Sequence, residues 1–360
     1  MALVKKRSVY FKSSNSNPWV NRIPRYIPEA PPFGEGLSLT EKMYAQKFEK
    51  SESGWSQCNL KYAAYAMQGF RKHMQDDYQC VPNYAVGSSR EPSASFAVYD
   101  GHGLQGHCVS SLCAETFLGS MYGRKAIRTA KHITTDLMRS GIHKTFVKFD
   151  QQLRDERVLY QPVPGSTTPS YIPSGSTQSP LQYSGTTATT VFISDEDIIF
   201  ANLGDSRTIL CRSNELHFET KDHSPAVEDE AKRVKAAGGR VHTNPNRHTV
   251  IMDPDVDGNC DFSVSRALAD FAFKIPTDKP PEEYMVSPIP DIHVVQRDYQ
   301  TDQFLLLASD GIYKSLSSEQ VKKFVLKQLQ CTTDLAGICR DLILTAYYSV
   351  STCGVVHTLK

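Results

Sequence analysis

The chain has 360 residues, of which 40% are hydrophobic and 22% charged, and its 40 basic and 39 acidic side chains leave a net charge of +1. This composition fits a soluble globular protein and gives no global electrostatic case for nucleic acid or a membrane surface. No apolar run approaches the roughly 20 residues of a membrane span, and Ala2 excludes N-myristoylation. The nine cysteines are scattered, odd in number and never spaced C-x-x-C. They point to free thiols in a reducing compartment, cytoplasmic or nuclear, rather than to disulfides or a zinc site.

In chain order, residues 1 to about 36 are polar and proline-bearing and read as an extended arm with little core of its own. Residues 37–360 read as one domain. "ASFAVYD" predicts a short buried strand, followed by a helix over about 105–121. A second helix is expected over about 130–154, with Ile133, Leu137, Phe146, Phe149 and Leu153 on an approximate stripe. A Pro/Ser/Thr/Gly-rich stretch over 161–183, inside an insertion that starts at about 155, reads as a mobile surface segment. "TTATTVFIS" and "DIIFANLG" then predict a hairpin, and "GDS" a further turn before "SRTILCRS". This meander argues for antiparallel sheet.

A third helix starts at "SPAVEDEAKRVKAAGG", where Ser224 can cap, Pro225 suits the first turn and Gly238-Gly239 ends it. "QFLLLASD" is another strand. Ser317 and Gln320 form a candidate capping box for a helix whose stripe is Val321, Phe324, Val325 and Leu329. A last helix, about 333–348, carries Leu335, Ile338, Leu342 and Ala346. Sheets in the middle with helices outside is the economical arrangement.

Acids gather at strand ends. Asp100-Gly101 follows "FAVY", Asp310-Gly311 follows "FLLLAS", and Asp205 follows "ANLG"; Asp76 and Asp77 lie close to Arg71. Carboxylates at the ends of neighbouring strands can converge without being close in sequence, and glycine allows a sharp turn that exposes a backbone carbonyl. An all-oxygen shell suits Mg²⁺ or Mn²⁺ and not zinc. Any single Asp-Gly is more often only a turn, so spacing alone stops at a candidate divalent-metal site.

Seven motifs in order, over about residues 60–350, resemble the metal-dependent serine/threonine phosphatases of the protein phosphatase 2C family. They are "YAMQGFRKHMQDD", "FAVYDGHG", "SGTTATTVFI", "IIFANLGDSR", "DHSPAVEDEAKRVKAAGGRV", "SVSRALAD" and "FLLLASDGIY". The resemblance implies an α+β fold, a four-layer α-β-β-α sandwich of two antiparallel sheets flanked by helices. It implies a centre of two Mg or Mn ions at one end. Asp100 would bridge the ions, the Gly101 carbonyl would bind one and Asp310 the other. Asp76 would lie close to the pair, and Asp205 would serve a weaker third ion. Arg71 would grip the substrate phosphate, and His102 would protonate the leaving oxygen. It further implies a phosphoprotein substrate, a monomer, and no nucleic-acid or membrane partner.

The sequence departs from the family pattern at several positions. Gln75 stands where glutamate is usual, Lys314 where an acid is common, and Ala269 where glycine is usual. The lysine puts positive charge near the third ion and lowers its occupancy by repulsion. Cys353 and Gly354 align where the family has an Asp-Asn pair whose Asp is a direct metal ligand, and a thiol is a poor ligand for Mg²⁺. Two functions follow: a serine/threonine protein phosphatase, which the retained Arg71, Asp76, Asp100, Gly101, His102, Asp205 and Asp310 favour, or a non-catalytic relative acting as a regulatory binding module.

Overall fold

A computed structural model describes residues 1–6, 49–56, 58–69, 71, 73–87, 91–130, 134–154, 181–244, 247–252 and 262–352. Strands β1 (Ala2–Lys6), β2 (Glu49–Trp55), β3 (Leu60–Met67), β9 (Arg207–Arg212), β10 (Glu215–Glu219) and β15 (Asp302–Ala308) form one antiparallel sheet in the order β10-β9-β15-β1-β3-β2. The second sheet runs β13-β6-β5-β7-β8-β14, with β4 (Asp76–Val86) alongside β5 (Glu91–His102). Its other strands are β6 (Gly185–Thr186), β7 (Ala188–Ile193), β8 (Asp197–Leu203), β13 (Leu268–Ala269) and β14 (Asp291–Gln296). A separate ribbon pairs β11 (Arg240–Asn244) with β12 (Arg247–Met252).

Side chains alternate faces along each strand, and the residues sort accordingly. Phe96 and Val98 of β5 pack between the sheets with Tyr62, Ala64, Val191, Phe200, Leu210, Leu305 and Leu307. Their neighbours Ala97 and Tyr99 face the other way, under helices α1 (Gly106–Tyr122), α2 (Lys125–Thr129) and α3 (Thr135–Leu153), against Phe117, Ile127 and Phe146. On the far side, Leu3, Ala63, Ile209 and Leu306 meet Val321 and Val325 of α6 (Ser318–Cys331) and Ile338 and Leu342 of α7 (Leu335–Thr352). Each fully buried Leu or Phe contributes about 1.5–3 kcal/mol. The result is the expected four-layer sandwich.

The hairpin β7–β8 forms in register from Ala188↔Leu203 to Ile193↔Ile198. The Ser317 capping box is present in full. Four expectations need correction. Residues 1–36 are not an arm throughout, because Ala2–Lys6 is an interior strand between β15 and β3, with Met1 and Leu3 buried. The helix expected from about 130 begins at Thr135, capped by the Thr134 hydroxyl, and Met138 and Ile142 line its buried face. Of the two residues proposed there, Leu137 is only partly buried and Ile133 lies outside the described residues. The insertion read as mobile to 183 ends by 180, since Leu181 is buried and its carbonyl accepts from Phe271 N. Ser224 shapes a turn rather than a helix start: Ala226 N donates to its hydroxyl and Val227 N to its carbonyl. Helix α4 (Glu228–Ala236) begins only afterwards, and Gly238 ends it at φ +91° as expected.

Candidate metal centre and catalytic cleft

Phe96 and Val98 point between the sheets, and Asp100 takes the same face two residues on, past the end of the apolar core. Asp76 sits directly opposite on β4. Strand β15 ends at Ala308, Ser309 follows, and Asp310 opens the short helix α5 (Asp310–Tyr313). Asp205 occupies the turn between β8 and β9. The oxygens of Asp100, Asp205 and Asp310 lie within 4.8 Å of one another. Ser309 Oγ donates to Asp76 Oδ2 at 2.6 Å, which ties the fourth acid to the same mouth.

Burial and mutual repulsion dominate the electrostatics. Desolvation, followed by the charges of Asp76, Asp310 and Asp205, pushes Asp100 well above the usual carboxylate range. Asp76 is raised mainly by burial, and burial with the nearby Asp310 lifts Asp205 to about 7. Lys314 forms an ion pair with Asp310 Oδ2 one helical turn away. Burial acts to lower its pKa, but Asp310, Asp205 and Asp100 outweigh that and hold the ammonium charged. An all-oxygen set of crowded carboxylates suits a hard divalent cation, which relieves the repulsion that raises these pKa values.

The loops around the acids are fixed by close approaches. A Cβ on Gly101 would run into the carbonyl oxygens of Gly106 and Gln75, and Gly103 sits at φ +77°. Gln75 donates through Nε2 to Gly103 O at 2.6 Å, a bond that an ionised glutamate could not make. Asp100 N donates to Thr187 Oγ1 at 3.1 Å, Thr187 N returns a bond to Asp100 O at 2.9 Å, and Thr187 Oγ1 meets Ser206 Oγ at 2.7 Å. His223 is buried and accepts from Gly204 N through Nδ1 at 3.1 Å, which fixes the residue before Asp205. Glu230 of α4 bonds Arg266 Nη2 at 2.6 Å and Arg233 Nη1 at 2.8 Å, and Arg266 Nη1 reaches Asp291 Oδ1 at 2.8 Å.

Asp76, Asp100, Asp205, Asp310 and Lys314 border a cleft of about 510 Å³ that is also lined by Arg71, His102 and Phe262. Arg71 is exposed at its edge. His102 Nε2 lies 2.6 Å from Asp270 Oδ2. Burial acts to lower the imidazole's pKa, but the charge and hydrogen bond of Asp270 outweigh it and hold the value above the ordinary one. Asp77 lies off the cluster, paired with Lys50 at 2.5 Å, in accord with a structural role. His73 and His107 stack on each other with centroids 6.4 Å apart.

The protein phosphatase 2C family model matches residues 60–353. The chain belongs to that family. Its class is therefore serine/threonine protein phosphatase, a metal-dependent phosphoric monoester hydrolase. Among curated relatives, Protein phosphatase 1A of Mus musculus and of Homo sapiens are each 33% identical over 306 residues, covering 85% of this chain and 71% of theirs. Protein phosphatase 1B of Rattus norvegicus is 31% identical over 311 residues, with the same two coverages. The fold is shared with a serine-threonine phosphatase 2C from Toxoplasma gondii at TM-score 0.61 and 18% identity, over 84% of this chain and 90% of that one. A C. elegans sex-determining protein aligns at TM-score 0.55 and 22% identity, over 84% of this chain and 61% of that one.

Within this protein phosphatase 2C fold, every site residue named from sequence reaches the cleft or its rim. Cys353 and Gly354 lie outside the described residues. Sequence reading missed Asp270, Thr187 and Ser309. All three stand inside quoted motifs, but nothing in their spacing shows that Asp270 faces His102 from 168 positions away.

Proposed function

We propose that the protein removes phosphate from phosphoserine and phosphothreonine side chains in this cleft, with two Mg or Mn ions held by Asp100, Asp310, Asp76 and the Gly101 carbonyl. The observation that carries the reading is the convergence of Asp100, Asp205 and Asp310 within 4.8 Å at the mouth of the sandwich. When bound, such ions supply Lewis acidity and a water whose pKa is lowered toward neutrality.

The chain's own groups do the rest. Arg71 at the cleft edge offers a planar fork to two phosphate oxygens and offsets charge there. Asp270 occupies Nε2 of His102, so Nδ1 is the ring nitrogen available to the leaving serine or threonine oxygen. General acids of this kind contribute about 10²–10⁴-fold. Lys314 sits on Asp310 and disfavours a third ion near Asp205. The seven free thiols among the described residues fit a reducing compartment.

The binding-module reading has less behind it, because the acids, His102 and its buried partner are all retained. The deciding experiment is hydrolysis of a phosphothreonine peptide by folded protein titrated with Mn²⁺, with EDTA as the stop. Turnover that appears with Mn²⁺ and vanishes with EDTA supports the proposal; none at millimolar Mn²⁺ overturns it.

A further inference from the structure

Asp270 is fully buried, and one of its oxygens is spent on His102. Its other oxygen, Oδ1, makes no hydrogen bond among the described residues, so the imidazole is the one side chain it serves by hydrogen bonding. The backbone that delivers this carboxylate is unusual. Ala269 and Asp270 both sit in the left-handed region, at φ +63° and +53°. Two consecutive non-glycine residues there cost on the order of 1–2 kcal/mol each. Surrounding bonds hold them: Ala269 N donates to Asp150 Oδ1 at 2.8 Å, and Asp270 N donates to Ser184 O at 3.1 Å.

The register explains the geometry. Gly185 of β6 pairs with His102 on one side and with Ala269 on the other. A Cβ at Gly185 would collide with the Asp270 carboxylate. Glycine therefore leaves the space through which the acid reaches the imidazole. On its exposed flank the His102 ring meets Phe262 edge-on at 4.8 Å, and Phe262 in turn stacks on Phe273.

Behind Asp270 lies a second buried pair. Lys274 is fully buried, donates to Ala267 O at 2.6 Å and stands 3.6 Å from Asp150 Oδ1. It is within electrostatic reach of both Asp150 and Asp270.

We propose that Asp270 is the positioning residue for His102, holding Nε2–H inward so that Nδ1 faces the leaving group, with the Asp150–Lys274 pair holding Asp270 in turn. The inference rests on the phosphatase reading above. In the step, water forms the new P–O bond, the bond from phosphorus to the serine or threonine oxygen breaks, and that oxygen takes the proton from Nδ1. Neutral imidazole remains, with Nε2–H still on Asp270, and regains its proton from solvent. An ionised carboxylate can only accept, which selects this tautomer.

The test uses Asp270→Asn, because asparagine matches the shape and tolerates left-handed φ. Wild type, Asp270→Asn, His102→Ala and the double variant are assayed with Mn²⁺ on a phosphothreonine peptide and on p-nitrophenyl phosphate. Nitrophenolate leaves without needing a proton; a threonine alkoxide does not. Asp270→Asn should lower kcat on the peptide about 10–100-fold with KM little changed, and at least about tenfold more than on p-nitrophenyl phosphate. The double variant should be no slower on the peptide than His102→Ala. Equal losses on both substrates, or additive losses in the double variant, overturn the proposal. Imidazole ¹⁵N spectra give an answer independent of turnover: neutral His102 should carry its proton on Nε2 in wild type and lose that preference in Asp270→Asn. A wild type inactive on both substrates would refute the phosphatase reading alone. A proton found on Nδ1 would refute the role of Asp270.

Discussion

Asp76 and Asp100 are direct cross-strand partners on β4 and β5, two partly buried carboxylates facing each other at the end of the ladder. Like charges placed directly opposite destabilise a sheet, and here desolvation adds to the cost. The fold thus holds a repulsive pair that a bound cation relieves. Asp100→Asn should raise the melting temperature of EDTA-treated protein while removing the further rise that Mn²⁺ gives wild type. Thermal unfolding with and without Mn²⁺ checks both. A variant that melts lower without metal, or that Mn²⁺ still stabilises, would contradict this account of the pair.

The same crowding sets a pH dependence. The folded pKa of Asp205 is about 7, against 3.8 for an ordinary aspartate. A carboxyl raised on folding contributes its full stability below 3.8 and loses it as pH rises through about 7. Metal-free protein should therefore lose stability between pH 5 and pH 8 through this group, and saturating Mn²⁺ should cancel the loss. Urea denaturation at the two pH values, with EDTA or Mn²⁺, reads the effect. Metal affinity should tighten over the same interval, because the ligands must shed protons to bind.

Glu230 behaves in the opposite sense. Burial acts to raise its pKa, but the hydrogen bond of Arg266 and the charges of Arg233 and Arg266 hold it down at about 2. A group lowered on folding contributes stability above its ordinary 4.5, and that contribution fades as pH falls toward 2. Glu230→Gln takes the carboxylate from Arg233 and leaves Arg266 with Asp291 alone, and should cost about 3 kcal/mol at neutral pH. It should also flatten the acid limb of the stability profile. A loss under about 0.5 kcal/mol would mean that the network carries little of the packing of α4.

Lys314 supplies a test of metal stoichiometry. Its ammonium contacts Asp310 and is drawn to Asp205 and Asp100, so it competes with a cation for the same oxygens. Lys314→Asp should increase the number of Mn²⁺ ions held at saturation by one, counted by electron paramagnetic resonance of free Mn²⁺. An unchanged count in the variant would show that the lysine excludes nothing.

Ala269 adopts φ +63° where the family pattern has glycine. Glycine takes this conformation without the Cβ penalty, so Ala269→Gly should gain about 1 kcal/mol in chemical denaturation. A destabilised variant would mean that the methyl group's packing outweighs the backbone relief.

The sheets, most helices and the acid cluster were legible in the sequence because each rests on local signals: alternation along strands, apolar stripes, and acids at strand ends. Phe96, Val98 and Asp100 share a face by period alone. What was not legible depends on contacts distant in sequence. The short apolar start of β1 gives no hint that it lies between Leu60–Met67 and Asp302–Ala308. Ser224 has the side chain of a cap but forms a turn, a choice its own chemistry leaves open. Asp270 reads as the end of a motif, and its role depends on two left-handed residues and on the missing Cβ of Gly185. Gln75 stands where the family pattern has glutamate, and only the structure shows that its amide donates to the loop that carries His102.

The position of β1 also sets a schedule for biosynthesis. Ala2 pairs with Ala64 on one side and with Leu307 on the other. On a ribosome adding about 5–20 residues per second, residues 2–6 wait on the order of 15–60 s for β15 to emerge. During that interval β1 can pair with β3 but leaves an unpaired edge, an invitation to wrong partners. The mouth that bears Asp310 therefore takes shape only after nearly all the described sheet residues have been made, and any segment that shields β1 in the interim would protect the yield of folded protein.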